Sequence, residues 1–404
     1  MTPQLDGPWQ RASAGAGLLG ADGRPADTIF AEMSALAAST GAINLGQGFP
    51  DTDGPAEVLE AARQAIADGV NQYPPGRGMP VLREAIAAHQ ARFWGLHPDP
   101  ATEILVTAGA TEALAATLLA LVKPGDEVLT VEPFYDAYAA VIGLAGGVHT
   151  TVELDLTPEG FVLDPGRLAD AITPRTRAIV VNNPHNPTGY QWTREALEAL
   201  VAAAERADAV LVTDEVYEHL CFDAPHIPLA TIPGAAERTV SISSGGKTFS
   251  TTGWKIGWLT APAPLVDAVV AVKQWLTFVN GAPFQPAIAV GLGLPDAVFD
   301  RIRDDLMMRR DQLGAALSDA GFVVHRPSAG YFTVADPAGL GLTDAASVCR
   351  TLAHEVGVVG IPVSAFCKPR LAREWGGLIR FAQCKREDVL TEACERLERW
   401  ARKS

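Results

Sequence analysis

One lysine lies in a run of small residues. In Ser243-Ser244-Gly245-Gly246-Lys247-Thr248-Phe249-Ser250 the Lys247 amine sits in a Gly/Ser-rich turn. A phosphate-cradling P-loop needs a glycine where Ser241 stands, so nucleoside triphosphate binding is set aside. The other use of such a lysine is covalent, because a partly desolvated amine with a lowered pKa can form a Schiff base with a carbonyl. Lys255, in Thr252-Gly253-Trp254-Lys255-Ile256-Gly257, adds a second cation nearby. For either lysine taken singly, a surface position is the plainer reading. Three more segments stand at the carboxyl ends of predicted strands, where open α/β sheets place ligands. Thr107-Ala108-Gly109-Ala110-Thr111-Glu112 is a small-residue turn opening a helix, and its bare N–H groups suit a phosphate. Such a turn is also an ordinary strand-to-helix connection. In Asn183-Pro184-His185-Asn186-Pro187-Thr188-Gly189, two X–Pro bonds fix an extended path that would present the Asn186 amide rigidly. In Asp214-Glu215-Val216-Tyr217, a carboxylate ending an apolar strand needs a partner, and a cationic ring nitrogen would be one.

The elements that must hold these residues follow from periodicity. Residues 55–67 read as a helix with Pro in its first turn, Val58, Ala62 and Ile66 on one face, and Gly69 as the stop. Residues 80–94 repeat the pattern, with Leu82, Ile86 and Phe93 inward and Gly95 after the end. From residue 104 the chain alternates. Strands are predicted at 104–107, 127–132, 178–181, 209–213 and 239–243, with helices at 112–122 and 194–207. Runs such as Ala178-Ile179-Val180-Val181 are apolar throughout, which suits parallel strands covered on both faces. The alternation implies a doubly wound α/β domain. After Pro283 comes a long helical stretch to Gly321, broken at Pro295, and then a shorter α+β section. Residues 1–30 lack periodicity and are expected to form an irregular or mobile arm.

Together these segments resemble the fold-type I, pyridoxal-phosphate (PLP) dependent aminotransferases of class I/II, over about residues 28–401. Asn44-Leu45-Gly46-Gln47-Gly48-Phe49-Pro50, Asn71-Gln72-Tyr73, Glu132-Pro133-Phe134-Tyr135-Asp136 and Gly253-Trp254-Lys255 are similar to the branch holding kynurenine/glutamine transaminases and N-succinyldiaminopimelate aminotransferases. The resemblance implies a large, mostly parallel α/β domain over 54–290. A smaller α+β domain would be formed by both chain ends, 1–53 and 291–404. It implies PLP held covalently by Lys247, which also moves the substrate Cα proton, with Asp214 on the pyridine nitrogen. Asn186 and Tyr217 would bond the ring 3-hydroxyl oxygen, and Tyr135 would stack on the ring. Gly109, Ala110, Thr111, Ser244 and Lys255 would surround the phosphate, where many relatives use Arg in place of Lys255. Arg380, in Leu378-Ile379-Arg380-Phe381, would clamp the substrate α-carboxylate, beside Gly48 and Asn186. Tyr73 would reach the PLP phosphate of a second subunit in a homodimer, and residues 277–280 would wall that partner's pocket.

The implied activity is transfer of an amino group between an L-amino acid and a 2-oxo acid or semialdehyde. The segments Ile29–Leu36 and Asn71–Gly76 lean towards the bacterial N-succinyldiaminopimelate enzymes, in which glutamate aminates N-succinyl-2-amino-6-oxopimelate for lysine biosynthesis. Ala richness and few Lys, as in a high-GC bacterium, point the same way. Arg77 is the candidate for a distal carboxylate, with a solvated surface Arg as its plainer reading. The alternative is kynurenine, glutamine or methionine transamination with β-lyase activity on cysteine S-conjugates.

Composition excludes other classes. The 404 residues carry 32 basic and 47 acidic side chains, a net charge of −15 with no Lys/Arg run, which argues against a nucleic-acid partner. No apolar stretch reaches the roughly 18 residues of a membrane helix. Met1 to Gly20 lacks the layout of a signal peptide. Cys221, Cys349, Cys367, Cys384 and Cys394 are odd in number and form no CxxC pair, against a disulfide framework or a zinc site. The expectation is a cytoplasmic enzyme without a metal.

Overall fold

The computed structural model describes residues 7–402. Its central sheet has seven strands: β1 (Ile104–Ala108), β2 (Glu127–Glu132), β3 (Val148–Glu153), β4 (Thr176–Asn182), β5 (Val210–Asp214), β6 (Thr239–Ser244) and β7 (Ile256–Thr260). They lie in the order β1-β7-β6-β5-β4-β2-β3, and only β7 runs antiparallel to its neighbours. Strands β3 and β7 were absent from the sequence-based reading. In β7 the glycine of Ile256-Gly257-Trp258-Leu259-Thr260 and the turn at Lys255 hide a strand that is otherwise apolar.

The all-apolar strands are covered on both faces, as their composition requires. Val128, Val180 and Val212 pack with the helices Gly109–Leu121, Asp136–Ala145 and Ala263–Lys273. Their neighbours Leu129, Ile179 and Leu211 point the other way, onto Leu197, Leu200 and Val201 of the helix Arg194–Ala207. With both faces apolar, a one-residue slip exposes no apolar set, so the fit of the individual side chains against the two helix layers sets the register instead. It leaves the carboxyl ends of β1, β4, β5 and β6 as the open edge.

A second sheet is antiparallel: β8 (Val323–His325), β9 (Phe332–Asp336), β10 (Ile361–Pro362) and β11 (Ile379–Ala382), in the order β8-β9-β11-β10. The long helix Asp296–Asp319 leads to it, and Leu313, Leu317, Ile379, Phe381, Leu390 and Leu397 share its core. Residues 43–44 pair with 358–359, so a segment near the start of the chain joins this part.

Two expectations are corrected. Residues 1–30 are not irregular throughout: Pro8–Gly15 is a helix laid across Asp136–Ala145. Glycines let the two backbones meet at that crossing, Gly15 against the Ala139 carbonyl and Gly143 against the Arg11 carbonyl. Such a contact leaves no apolar periodicity to read; residues 1–6 lie outside the described part. In the helix Ala56–Ala67 the buried stripe is Val58, Ala62 and Ala65, while Ile66 is exposed. At 100° per residue Ile66 falls further from Val58 than Ala65 does, at the edge of the stripe.

Candidate active site

Turns at the open edge bring the candidate residues to one cavity of about 360 Å³. Its wall includes Gly48, Gly109, Ala110, Thr111, Tyr135, Asn186, Asp214, Tyr217, Ser244, Lys247, Lys255 and Arg380. Tyr73 is elsewhere: it is 83% exposed and packs edge-on against Phe278, 5.6 Å between ring centroids.

Lys247 sits in a single helical turn, Gly245–Thr248, directly after β6. Its amine donates to the Gly48 carbonyl at 2.8 Å, and its own carbonyl accepts from the Tyr331 hydroxyl at 2.5 Å. Burial pushes the amine down from 10.5 to about 8, so roughly a tenth of it is the neutral nucleophile at pH 7, far more than for a free lysine.

Asp214 ends β5. The Tyr138 hydroxyl donates to its Oδ2 at 2.7 Å, the Val216 N–H reaches Oδ1 at 3.4 Å, and the Asn182 amide holds its backbone carbonyl at 2.9 Å. Burial raises the Asp214 carboxyl against the opposing pull of Tyr138. It opens to the cavity without a cation in salt-bridge contact among the described residues.

Arg380, on β11, is the opposite case. It is 1% exposed, and no carboxylate pairs with it among the described residues. Nη1 donates to Asn186 Oδ1 at 3.0 Å and Nη2 to the Gly46 carbonyl at 2.8 Å, while Nε has no partner. The guanidinium lies 3.9 Å from the Phe332 centroid and 4.7 Å from that of Phe366. Burial brings it from 12.5 to about 10, still charged at neutral pH.

At the far end the helix Gly109–Leu121 points its N-terminus at the cavity, with Lys255 across it. Gly109 has φ +75°, and a Cβ there would fall 2.9 Å from Lys255 Nζ, so glycine suits both the backbone and the lysine's approach. Ser244 is buried beside this end, whereas Thr111 and Lys255 are exposed.

The 183–189 segment is a turn rather than an extended path. His185 N–H bonds Tyr190 O at 2.9 Å, Gly189 N–H bonds His185 O at 2.8 Å, and Asn182 Oδ1 accepts from the Asn186 N–H at 2.6 Å. The Asn186 amide is still presented to Arg380. Arg77 does not line the cavity; it is committed to Asp267 and to the Thr102 carbonyl. Sequence reasoning missed Tyr138, Asn182, Phe30, Gln47 and Phe332. Tyr138 was within reach, three residues after Tyr135 on one helical face, and Asn182 directly precedes the singled-out segment.

A half-buried carboxylate and a buried guanidinium, neither paired with an opposite charge among the described residues, thus flank a lysine of lowered basicity, with an anion-suited helix end opposite. The profile of the aminotransferase class I and II family matches residues 40–397. The chain belongs to the class I and II aminotransferases. This family is PLP-dependent, and the chain shares its fold-type I architecture. Among its relatives is a probable N-succinyldiaminopimelate aminotransferase (DapC) of Mycobacterium tuberculosis, 53% identical over 92% of this chain and 96% of that protein. The solved N-succinyldiaminopimelate aminotransferase from Mycobacterium tuberculosis superposes with a TM-score of 0.90, at 54% identity over 93% of this chain and 97% of that one. A methionine aminotransferase of Escherichia coli is 40% identical, covering 92% of this chain and 95% of the relative. The residues fit PLP: Lys247 for the carbonyl, Asp214 for a ring cation, and the Gly109 turn with Ser244 and Lys255 for the phosphate.

Proposed function

We propose that this aminotransferase moves the amino group of glutamate to N-succinyl-2-amino-6-oxopimelate, as an N-succinyldiaminopimelate aminotransferase. The observation that carries the substrate is the 53% identity, over nearly the whole of both chains, to the mycobacterial relative of that name. The cavity carries the reaction type.

When bound, PLP supplies an electrophilic carbonyl and a ring that accepts negative charge from the substrate Cα. The protein's own residues do the rest. Lys247 Nζ would hold the cofactor and, as a free amine, would move the proton at substrate Cα. Asp214, held by Tyr138, would serve as counter-ion to the ring nitrogen. Tyr217 and Asn186 would donate to the ring oxygen, and Tyr135 would supply an aromatic contact for the ring. The Gly109–Thr111 N–H groups, Ser244 and Lys255 hold the phosphate. Arg380 takes the α-carboxylate in its planar fork, oriented by Asn186, Gly46 O and the rings of Phe332 and Phe366.

A second reading, transamination of methionine, glutamine or kynurenine with β-lyase activity, is favoured by one feature. The only cations lining the cavity among the described residues are Lys247, Lys255 and Arg380, while Phe30, Phe49 and Phe332 supply apolar wall. A distal carboxylate would then meet a residue of the partner subunit. We infer a homodimer, because Tyr73, Trp275 and Phe278 are 83%, 81% and 52% exposed in one chain. We also place the enzyme in the cytoplasm, where its five free thiols would stay reduced.

Steady-state rates test the substrate. Glutamate with the succinylated semialdehyde is expected to exceed methionine, glutamine or kynurenine with a 2-oxo acid in kcat/KM. The reverse order would replace the substrate assignment with the second reading.

A further inference from the structure

Behind the cavity, on the side away from PLP, lies a buried polar cluster that the mechanism does not use. Glu218 follows Tyr217 and is only 3% exposed. Tyr217 lines the cavity, whereas Glu218 turns to the opposite side, where its Oε1 accepts from Ser243 Oγ at 2.6 Å and its Oε2 from Trp94 Nε1 at 2.9 Å. Ser243 and Ser244 are consecutive on β6, so their side chains alternate, and Ser244 is the one at the cavity. One carboxylate thereby joins the turn after β5 to the end of β6 and to the last residue of the helix Pro80–Trp94.

Such a carboxylate is costly. No Lys or Arg pairs with it among the described residues, and burial pushes it up to about 7 despite Ser243, His226 and Trp94. His89 and His219 lie close by, their Nε2 atoms 2.7 Å apart. Ligand-type atoms of Glu218, His89 and His219 fall within 4.8 Å of one another. A metal would have to take Glu218 from Ser243 or Trp94 and part the two imidazoles, since both carboxylate oxygens are already engaged by protein donors, while His89 Nδ1 has no partner among the described residues.

We propose that Glu218 is a positioning residue: its carboxylate ties the turn carrying Tyr217 to the strand carrying Ser244, and so sets the 3-hydroxyl contact against the phosphate contact. This rests on the placement of Lys247, Tyr217 and Ser244 given under Proposed function. The two donors then have different consequences. Ser243 transmits position between two cofactor-contacting segments, whereas Trp94 ties only to a helix that does not line the cavity.

Three variants of the PLP-loaded enzyme separate these roles. Glu218→Met removes both acceptors, Ser243→Ala cuts only the link to β6, and Trp94→Phe cuts only the link to the helix. Readouts are the PLP dissociation constant from titration of the cofactor-stripped chain, the visible absorbance of the bound cofactor against pH, kcat, KM and Tm. Glu218→Met and Ser243→Ala are expected to weaken PLP about tenfold, shift the absorbance midpoint and lower kcat about tenfold. KM for glutamate stays within about twofold, because Arg380 is outside this network. Trp94→Phe lowers Tm alone. Glu218→Gln, which keeps an acceptor, stays within about threefold of wild type. If Glu218→Met does not fold, Ser243→Ala decides alone. Wild-type PLP affinity and absorbance in Ser243→Ala, or an equal effect of Trp94→Phe, overturns the proposal. An active Lys247→Ala enzyme would instead sink the reading beneath it.

Discussion

Replacing Arg380 by alanine removes the one fully buried cation that lines the cavity among the described residues. Its Nη1 and Nη2 are bonded to neutral acceptors, its Nε is unpartnered, and it has no counter-ion among the described residues. A bound substrate carboxylate would complete it, as proposed above. Losing one member of a buried, hydrogen-bonded charge pair costs roughly 2–5 kcal/mol, or about thirtyfold to several thousandfold in kcat/KM. The effect on the fold is smaller. Alanine leaves the Gly46 carbonyl and Asn186 Oδ1 short of a donor, at about 1–3 kcal/mol for each group, but also removes an uncompensated buried charge. These terms oppose each other, so the net stability change stays within about 2 kcal/mol. Arg380→Lys keeps charge without the fork and falls in between. The assay is the half-reaction with glutamate, followed by cofactor absorbance, beside a PLP titration and a thermal melt. Expected are a loss of at least thirtyfold in kcat/KM and nearly unchanged PLP affinity. A kcat/KM within about threefold of wild type would refute the reasoning and hand the carboxylate to another residue.

Three further outcomes are expected. Tyr138→Phe removes the 2.7 Å bond to Asp214 Oδ2, which raises the Asp214 carboxyl further and weakens PLP about tenfold in equilibrium titration; unchanged affinity would relieve Tyr138 of this role. In the PLP-free chain, capture of PLP rises with pH through about 8, since burial lowers the Lys247 amine; a midpoint near 10.5 would contradict that burial. Between those values the unfolded lysine binds more protons than the folded one, so this group's contribution to stability rises with pH, as melts at several pH values would show. Trp275→Asp with Phe278→Asp turns an exposed aromatic patch acidic and converts a dimer to a monomer of low activity in sedimentation and rate assays; a fully active monomer would rule out the partner's role.

Much of the site was legible because its residues sit at strand ends, where a run such as Ala178–Val181 stops and turn chemistry begins. Lys247, Asp214 and Asn186 announce themselves there, and the cavity brings them together with Arg380. What stayed hidden depends on tertiary distance. Nothing local tells that Tyr138 reaches Asp214 across two strand connections, or that Phe332 lies under Arg380; the sheet pairing of β9 with β11 makes the latter contact. β7 was missed because one glycine and an adjoining turn weaken the strand pattern. The helix Pro8–Gly15 was missed because its contact is made by small residues. Arg77 looked available in sequence, and only the fold brings Asp267 to it.

Lys247 is the proposed point of PLP attachment. Borohydride reduction of the PLP-loaded enzyme, followed by peptide mass mapping, tests it most directly. The pyridoxyl mass is expected on the peptide bearing Lys247, and absent in Lys247→Ala. A pyridoxyl group on Lys255, or on neither lysine, would contradict the account.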